Sequence, residues 1–297
     1  MLNFGQIAHG VWLHIEYSFL AAVFASLVEI ALPGEERQSL ASRVRGFSFS
    51  LFYYLTATTL ILSLRQALAL TGYQPLVVLD LTGAISSSNF AIQLAGYVLA
   101  PFAAILLHDF LFYWFHRMQH AVPFLWRFHR VHHAIREMNA FNSYHHVTEE
   151  FLRIPFMMLP LLFLINVQAT QVIFVVLLMR AHAALQHSNS RFSYWHFKYV
   201  FAEPIFHRIH HSTEQRHWGR NFSGVFTVWD MIFGTAYFAK HRELFTTGLA
   251  DQDEARTLRE YLFPPPLAKA RPAAAVHAVP VERVQRIDSP CRRDAAA

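Results

Sequence analysis

One cysteine, Cys291, is all that the 297 residues contain. That excludes a disulfide framework and any site built on thiolates, so metal chemistry in this chain must run on histidine and carboxylate. Charge is also scarce: Asp, Glu, Lys and Arg make up 15% of the residues, against roughly 25% in ordinary soluble domains. A chain so poor in charge and 54% hydrophobic is expected in a membrane. Its net charge of +5 comes from basic residues scattered among apolar segments. That scatter argues against a nucleic-acid partner and fits loop charge facing a cytoplasmic leaflet. There is no dinucleotide-binding glycine fingerprint and no cysteine cluster, so no flavin, haem or ferredoxin motif is visible and any electrons must come from a separate protein. The start, "MLNFGQIAHGVWLHIEYSF", lacks a basic stretch and a small-residue cleavage site, so the first apolar run is expected to stay in the mature protein.

Apolar blocks fill what the charges leave. Ile15 to Leu32, Phe47 to Leu70 and Ala91 to Phe115 are each near or above the ~20 residues a helix needs to cross a bilayer. Pro75 to Ile85 is too short to span and reads as interfacial or as part of an extracytoplasmic connection. A fourth block, Phe151 to Met179, has a polar centre, "NVQAT", from Asn166 to Thr170. A single crossing there would put the histidines before it and after it on opposite sides of the membrane. A hairpin with its polar turn deep in or across the bilayer returns both to one side, and that is the expected path. From Pro264 the tail has Pro, Ala and Arg but no apolar period, and is expected to be largely disordered.

Histidine is the residue in excess: of 19 in the chain, fifteen lie between His108 and His217. The segment "WRFHRVHH" ends at His133 and returns in altered form as "PIFHRIHH", ending at His211. On a helix, a His at i with a pair at i+3 and i+4 projects imidazoles from one surface. His129, His132 and His133 fit this, as do His207, His210 and His211. His116 and His120, at i and i+4, are a third pair able to chelate one ion. Adjacent residues diverge by about 100° on a helix, so His132 and His133 can serve two different metals. Eight ligands are too many for one ion and about right for two. His182 and His187 are five apart, about 140° on a regular helix, and cannot both point squarely at one ion; His187 is the preferred ligand. His9, His14, His241 and His277 are not expected to bind metal, while His108, His145, His196 and His217 are secondary candidates.

Neutral imidazoles suit zinc, iron, copper and nickel alike. There is no His-Glu-x-x-His metalloprotease signature. A carboxylate-poor histidine cluster beside long apolar helices suits two irons acting with dioxygen on a lipid chain, because attack on an unactivated C–H bond needs a redox metal, whereas zinc serves Lewis-acid or hydrolytic work. Asp109 and Asp230 are candidates to accept a hydrogen bond from the far nitrogen of a ligating imidazole, and Asn189, two residues after His187, is a candidate to orient a water.

The runs "DFLFYWFHRMQHAVPFLWRFHRVHH", "LQHSNSRF", "PIFHRIHHS" and "NFSGVFTVWDMIFGTAYF" resemble the sterol desaturase family within the fatty acid hydroxylase superfamily of membrane di-iron oxygenases. The resemblance covers roughly residues 106–238, with three ordered histidine boxes and a Trp-Asp-x-x-Phe-Gly-Thr run after the last. It implies an all-α integral membrane protein of about four transmembrane helices or helical hairpins, with a cytosolic histidine-rich cap holding a dinuclear site. It also implies an enzyme that uses dioxygen and externally supplied electrons to hydroxylate or desaturate a lipid. Carried over residue by residue, the iron ligands fall on His116, His120, His129, His132, His133, His187, His207, His210 and His211. A family element of the form Arg-x-His-Pro-x-Glu matches "YHHVTE", which adds His146 and Glu149. Val147 stands at its proline, and its arginine is not kept. His182 completes the set of candidate ligands.

The implied organisation is an N-terminal membrane region over residues 1–100, a catalytic domain over 101–240 and a C-terminal segment over 241–297. The implied partners are a membrane lipid and an electron donor such as a ferredoxin, cytochrome or reductase. The expected location is a bacterial inner membrane, with the histidines facing the cytoplasm. A histidine-rich metal transporter is the alternative from another class, but it would place ionisable residues in mid-span along a pathway; here the boxes flank the spans. A metal-stabilised membrane protein without catalysis is the other.

Overall fold

A computed structural model describes residues 3–34, 38–80, 82–168, 172–239 and 245–264. Cys291, His241, His277 and the tail beyond Pro264 lie outside the described residues, as do residues 169–171 at the centre of the fourth apolar block. The described chain is mostly helical, and three helices are long and apolar enough to cross a membrane: α1 (Phe4–Ala31), α2 (Leu40–Leu70) and α3 (Phe90–Ala121). They begin where the sequence supplies caps. The Asn3 side chain accepts from the Gln6 N–H at the start of α1, and Ser39 does the same for Ser42 at the start of α2, satisfying amide donors that the first turn leaves unpaired. All three expose large apolar side chains, among them Phe24, Leu27, Ile30, Leu55 and Phe102. In water such a surface would drive aggregation; against lipid it is the expected exterior. These helices make the chain an integral membrane protein by length and composition.

The fourth block is a hairpin. α4 (Pro123–His133) carries the first histidine triplet, and after a loop the chain climbs through α5 (Thr148–Arg153), a π-helical turn at Ile154–Met158 and α6 (Leu159–Leu164). It returns through α7 (Val172–Gln186) to His187. After α6, β2 (Ile165–Gln168) pairs in parallel with β1 (Val77–Asp80), Val77 opposite Ile165 and Asp80 opposite Gln168. This small sheet departs from the all-α expectation. It has a physical reason, since two segments too short to span satisfy each other's backbone groups by pairing.

Small residues let α7 approach α1 closely. Ala21 and Ala25 pack against Ala184 and Leu185, with Ala140 from the loop before the hairpin, the packing by which helices associate where no water is displaced. Glu29, buried near the end of α1, then ties three segments together: Oε1 accepts from the N–H groups of Ala140 and Asn189, each at 2.8 Å, and Oε2 accepts from Arg43 Nη2 at 2.7 Å. Ala140 precedes the hairpin and Asn189 follows it, so one carboxylate holds both feet of the hairpin at the same level. Gly46 on α2 is obligatory for the same junction, because a Cβ there would meet the Asn142 Cα and the Phe141 carbonyl oxygen, each at 2.5 Å.

Below α2 a second cluster, Phe49, Val131, Ile135, Met138, Tyr144 and Tyr261, fixes the outer face of α4. The second triplet sits on α8 (Pro204–His210), followed by α9 (Val228–Ile232) and α10 (Leu258–Leu262). Both triplet helices open with proline at the first position, where its missing N–H costs nothing. In each, the triplet falls at the C-terminal end.

Candidate metal centre

The nine histidines of the three boxes converge into two groups. His116, His120, His129, His133 and His210 form one; His132, His187, His207 and His211 form the other; in each, one ligand atom per residue lies within 4.8 Å of all the rest. The i+3 and i+4 members of each triplet part company: His132 and His133 go to different groups, and so do His210 and His211. The groups touch where His133 stacks on His211, ring centroids 4.3 Å apart. The division into two groups therefore follows in part from helical geometry, each triplet contributing to both.

Protonation states follow from the partners. His116 Nδ1 donates to the Phe222 carbonyl at 2.7 Å, His132 Nδ1 to Tyr144 at 3.0 Å, His187 Nδ1 to Ala183 at 2.8 Å and His210 Nδ1 to Arg220 at 2.8 Å. His129 Nδ1 lies 3.1 Å from Glu149 Oε2. Oxygens of this kind only accept, so Nδ1 carries the proton in each ring and Nε2 keeps its lone pair. Burial drives His132, His133, His207 and His211 well below the ordinary histidine range, with neighbouring imidazoles pushing the same way. It takes His187 down to about 4 and His210 to about 3. Burial favours the neutral ring, and in His116, His129, His132, His187 and His210 the lone pair is left on Nε2.

That arrangement needs a cation. His116 and His133 each place Nε2 3.1 Å from His129 Nε2. His207 Nε2 lies 3.0 Å from His187 and 3.2 Å from His211, and His187 Nε2 lies 3.3 Å from His132. In the His116–His129 and His187–His132 pairs both rings carry their proton on Nδ1, so acceptor faces acceptor with no proton between them and the two repel. Two nitrogens about 2.1 Å from a common ion and at right angles lie about 3 Å apart, which is the spacing here. His120 Nε2 and His210 Nε2 are buried with no partner among the described residues, as expected of atoms reserved for a metal. The donor set fits metal ions in both groups.

Glu149 supplies the negative charge. Its Oε2 accepts from Gln119 Nε2 and lies 3.1 Å from His129 Nδ1 and 3.3 Å from His145 Nδ1, while Oε1 accepts from the His146 N–H. Burial alone would push this carboxyl up, but His129 and His145 hold it well below the usual carboxylate range. His145, only a secondary candidate in the sequence, stands closer to the centre than His146: its ring stacks on His132 at 3.9 Å, and with His129 and Glu149 it forms a third compact set. The signal for it was the i, i+4 spacing of His145 and Glu149.

Five candidates take other places. His146 has both nitrogens engaged by backbone, Nδ1 accepting from Thr148 N and Nε2 3.3 Å from the Leu262 oxygen, so it caps the rising arm of the hairpin and is not in either group. His182 contacts the Tyr194 hydroxyl through Nδ1 and also lies outside both groups, in keeping with its angular offset from His187. Asp109 and Asp230 touch no imidazole. Asp109 accepts from the N–H groups of Gly224, Val225 and Phe226, and Asp230 from those of Phe222 and Ser223 and from Thr235 Oγ1. Together they clamp the strand-like segment whose Phe222 carbonyl holds His116. Asn189 acts through its backbone, receiving Gly34 and donating to Glu29.

Residues 101–235 match the family model described as fatty acid hydroxylase. This stretch contains all nine converging imidazoles together with Glu149, Asp109 and Asp230. The match supports the superfamily that the histidine boxes suggest, and with it an oxidoreductase of the lipid hydroxylase or desaturase type. No curated protein and no solved structure matches the chain.

Proposed function

We propose that the chain is a membrane di-iron oxygenase of the sterol desaturase kind, which uses dioxygen and electrons from a separate donor protein to hydroxylate or desaturate a lipid. The observation that carries this reading is the division of nine imidazoles, eight of them buried and His120 half-buried, into two touching groups beside apolar helices. His116, His120, His129, His133 and His210 would hold one iron, and His132, His187, His207 and His211 the other. When bound, the pair supplies the redox chemistry that attack on a C–H bond requires.

The chain's own residues do the rest. A cavity of about 380 Å³ runs between α1, α2, α3 and α7 and is bounded at its inner end by His116, His132, His187 and His207, a size in the range of small-ligand sites (~300–1,000 Å³). Its walls include Ile15, Phe19, Phe47 and Val176, which orient an alkyl chain and keep water from the reacting carbon. Glu149 and the backbone carbonyls fix the imidazole tautomers, so the ligand set needs no rearrangement to bind metal. No electron carrier is encoded in the chain, which supports a ferredoxin, cytochrome or reductase partner. The location proposed is a bacterial inner membrane, with the centre on the cytoplasmic side in keeping with the basic loop charge.

Metal analysis and Mössbauer spectroscopy on iron-57-grown protein, purified anaerobically in mild detergent, test the proposal. About two irons per chain with coupled dinuclear parameters is the expected result. Zinc alone, with no dioxygen consumed when reductant is supplied, would overturn it.

A further inference from the structure

We propose that Arg180 anchors an anion-binding subsite in the substrate cavity, and that the lipid taken by this site carries a carboxylate at the end away from the metals. The inference rests on the reading of that cavity as the substrate site. Arg180 lies on α7, the returning arm of the hairpin, and lines the same cavity as His187. It precedes His187 by seven residues, about 10 Å along the helix axis.

The neighbours of Arg180 supply no negative charge. Its guanidinium sits 5.6 Å from the centre of the Tyr54 ring, and Nη2 lies 3.3 Å from His14 Nδ1. No carboxylate stands within ion-pair distance of it among the described residues. Arg153, lining the same cavity, shows the contrast: it pairs with Glu150 at 3.2 Å, and Tyr53 donates to that same carboxylate. One arginine of the cavity is neutralised by the protein and the other is not.

A guanidinium cannot shed its proton, and holding it half-buried without a counter-charge is costly. A charged side chain inside a membrane protein with no counter-charge among the described residues points to an external partner. The donors around it point to the same chemistry. His14 Nδ1 accepts from Arg180, so the proton of that ring is on Nε2, which is buried without a partner among the described residues. The remaining N–H groups of Arg180 form the planar fork that matches a carboxylate. An occupant satisfying both ends of the cavity is an extended acyl chain, with its carboxylate at Arg180 and an interior carbon at the histidines. A neutral alcohol would leave the charge unmet.

The test is equilibrium binding of radiolabelled palmitate and of hexadecanol, equal in chain length, to the full-length iron-loaded protein in detergent. A charge-assisted hydrogen-bonded pair predicts that wild type binds palmitate about 10- to 100-fold more tightly than hexadecanol. Arg180→Gln should remove that preference by weakening palmitate alone, and Arg180→Lys should keep part of it. Equal binding of the two probes by wild type overturns the inference without any variant, as does an undiminished preference in Arg180→Gln. Iron content measured on the same samples separates the two readings. Two irons with no preference for palmitate removes the subsite only; a preference that depends on Arg180 in a protein that takes up no iron keeps the subsite and removes the oxygenase.

Discussion

Asp230 and His116 are joined through a single peptide. The Ser223 N–H donates to Asp230 Oδ2 at 2.8 Å, and the carbonyl of the same amide, that of Phe222, accepts from His116 Nδ1 at 2.7 Å. Because the amide is planar and conjugated, a charge that polarises its N–H also makes its carbonyl a better acceptor. The carboxylate thus orients the imidazole and strengthens its lone pair without touching it.

Asp230→Asn should therefore weaken metal binding while leaving the helices in place. The amide turns one acceptor into a donor facing the N–H groups of Phe222 and Ser223 and the Thr235 hydroxyl. Loss of such outer support typically costs 10- to 100-fold in metal affinity. Competition with a chelator of known affinity would measure it, and an unchanged affinity would leave Asp230 a purely local clamp.

His132 and His133 are neighbours in sequence but belong to different groups. His132→Ala should empty mainly the four-histidine group and His133→Ala should weaken the five-histidine group, so each variant should keep about one ion per chain under conditions where wild type keeps about two. The deficit should be larger for His132→Ala, whose group has fewer ligands. Elemental analysis after dialysis decides it. Loss of both ions in both variants would mean that the two groups bind as one unit.

Eight of the nine converging histidines were legible because helical periodicity is local: an i, i+3, i+4 triplet or an i, i+4 pair can be read without knowing what it faces. The hairpin was legible because the two triplets had to meet. What could not be read lies in contacts between distant segments. Asp109 and Asp230 are acidic residues near a histidine box, and only the fold shows that they hold backbone amides of residues 222–226. Glu29 carries no motif, yet it fixes the feet of the hairpin. The pairing of Val77–Asp80 with Ile165–Gln168 crosses nearly ninety residues. Between His145 and His146 the motif comparison favoured the second, while the i, i+4 reach to Glu149 brought the first to the centre.

His146→Ala and His182→Ala should both retain the full metal content, since neither ring reaches either group. His146→Ala should still lower stability by about 1–2 kcal/mol, because Thr148 N at the start of the hairpin loses its acceptor and the Leu262 carbonyl its donor. Thermal unfolding in detergent beside metal analysis separates the two effects. Metal loss in either variant would return that histidine to the ligand set.

Glu29→Gln tests whether the hairpin is held by one carboxylate. The substitution keeps the size of the side chain but removes the charge that faces Arg43 and replaces one oxygen with a donor. The amide can satisfy either the N–H groups of Ala140 and Asn189 or Arg43, not all three. A buried group left unsatisfied costs about 1–3 kcal/mol. The damage should not stay local, because Asn189 lies two residues from His187 and Ala140 five from His145. Release of either foot lets the four-histidine group spread, so metal retention should fall together with stability. A variant that unfolds earlier yet holds both ions as tightly as wild type would show that α4 and α8 position the histidines without help from the hairpin.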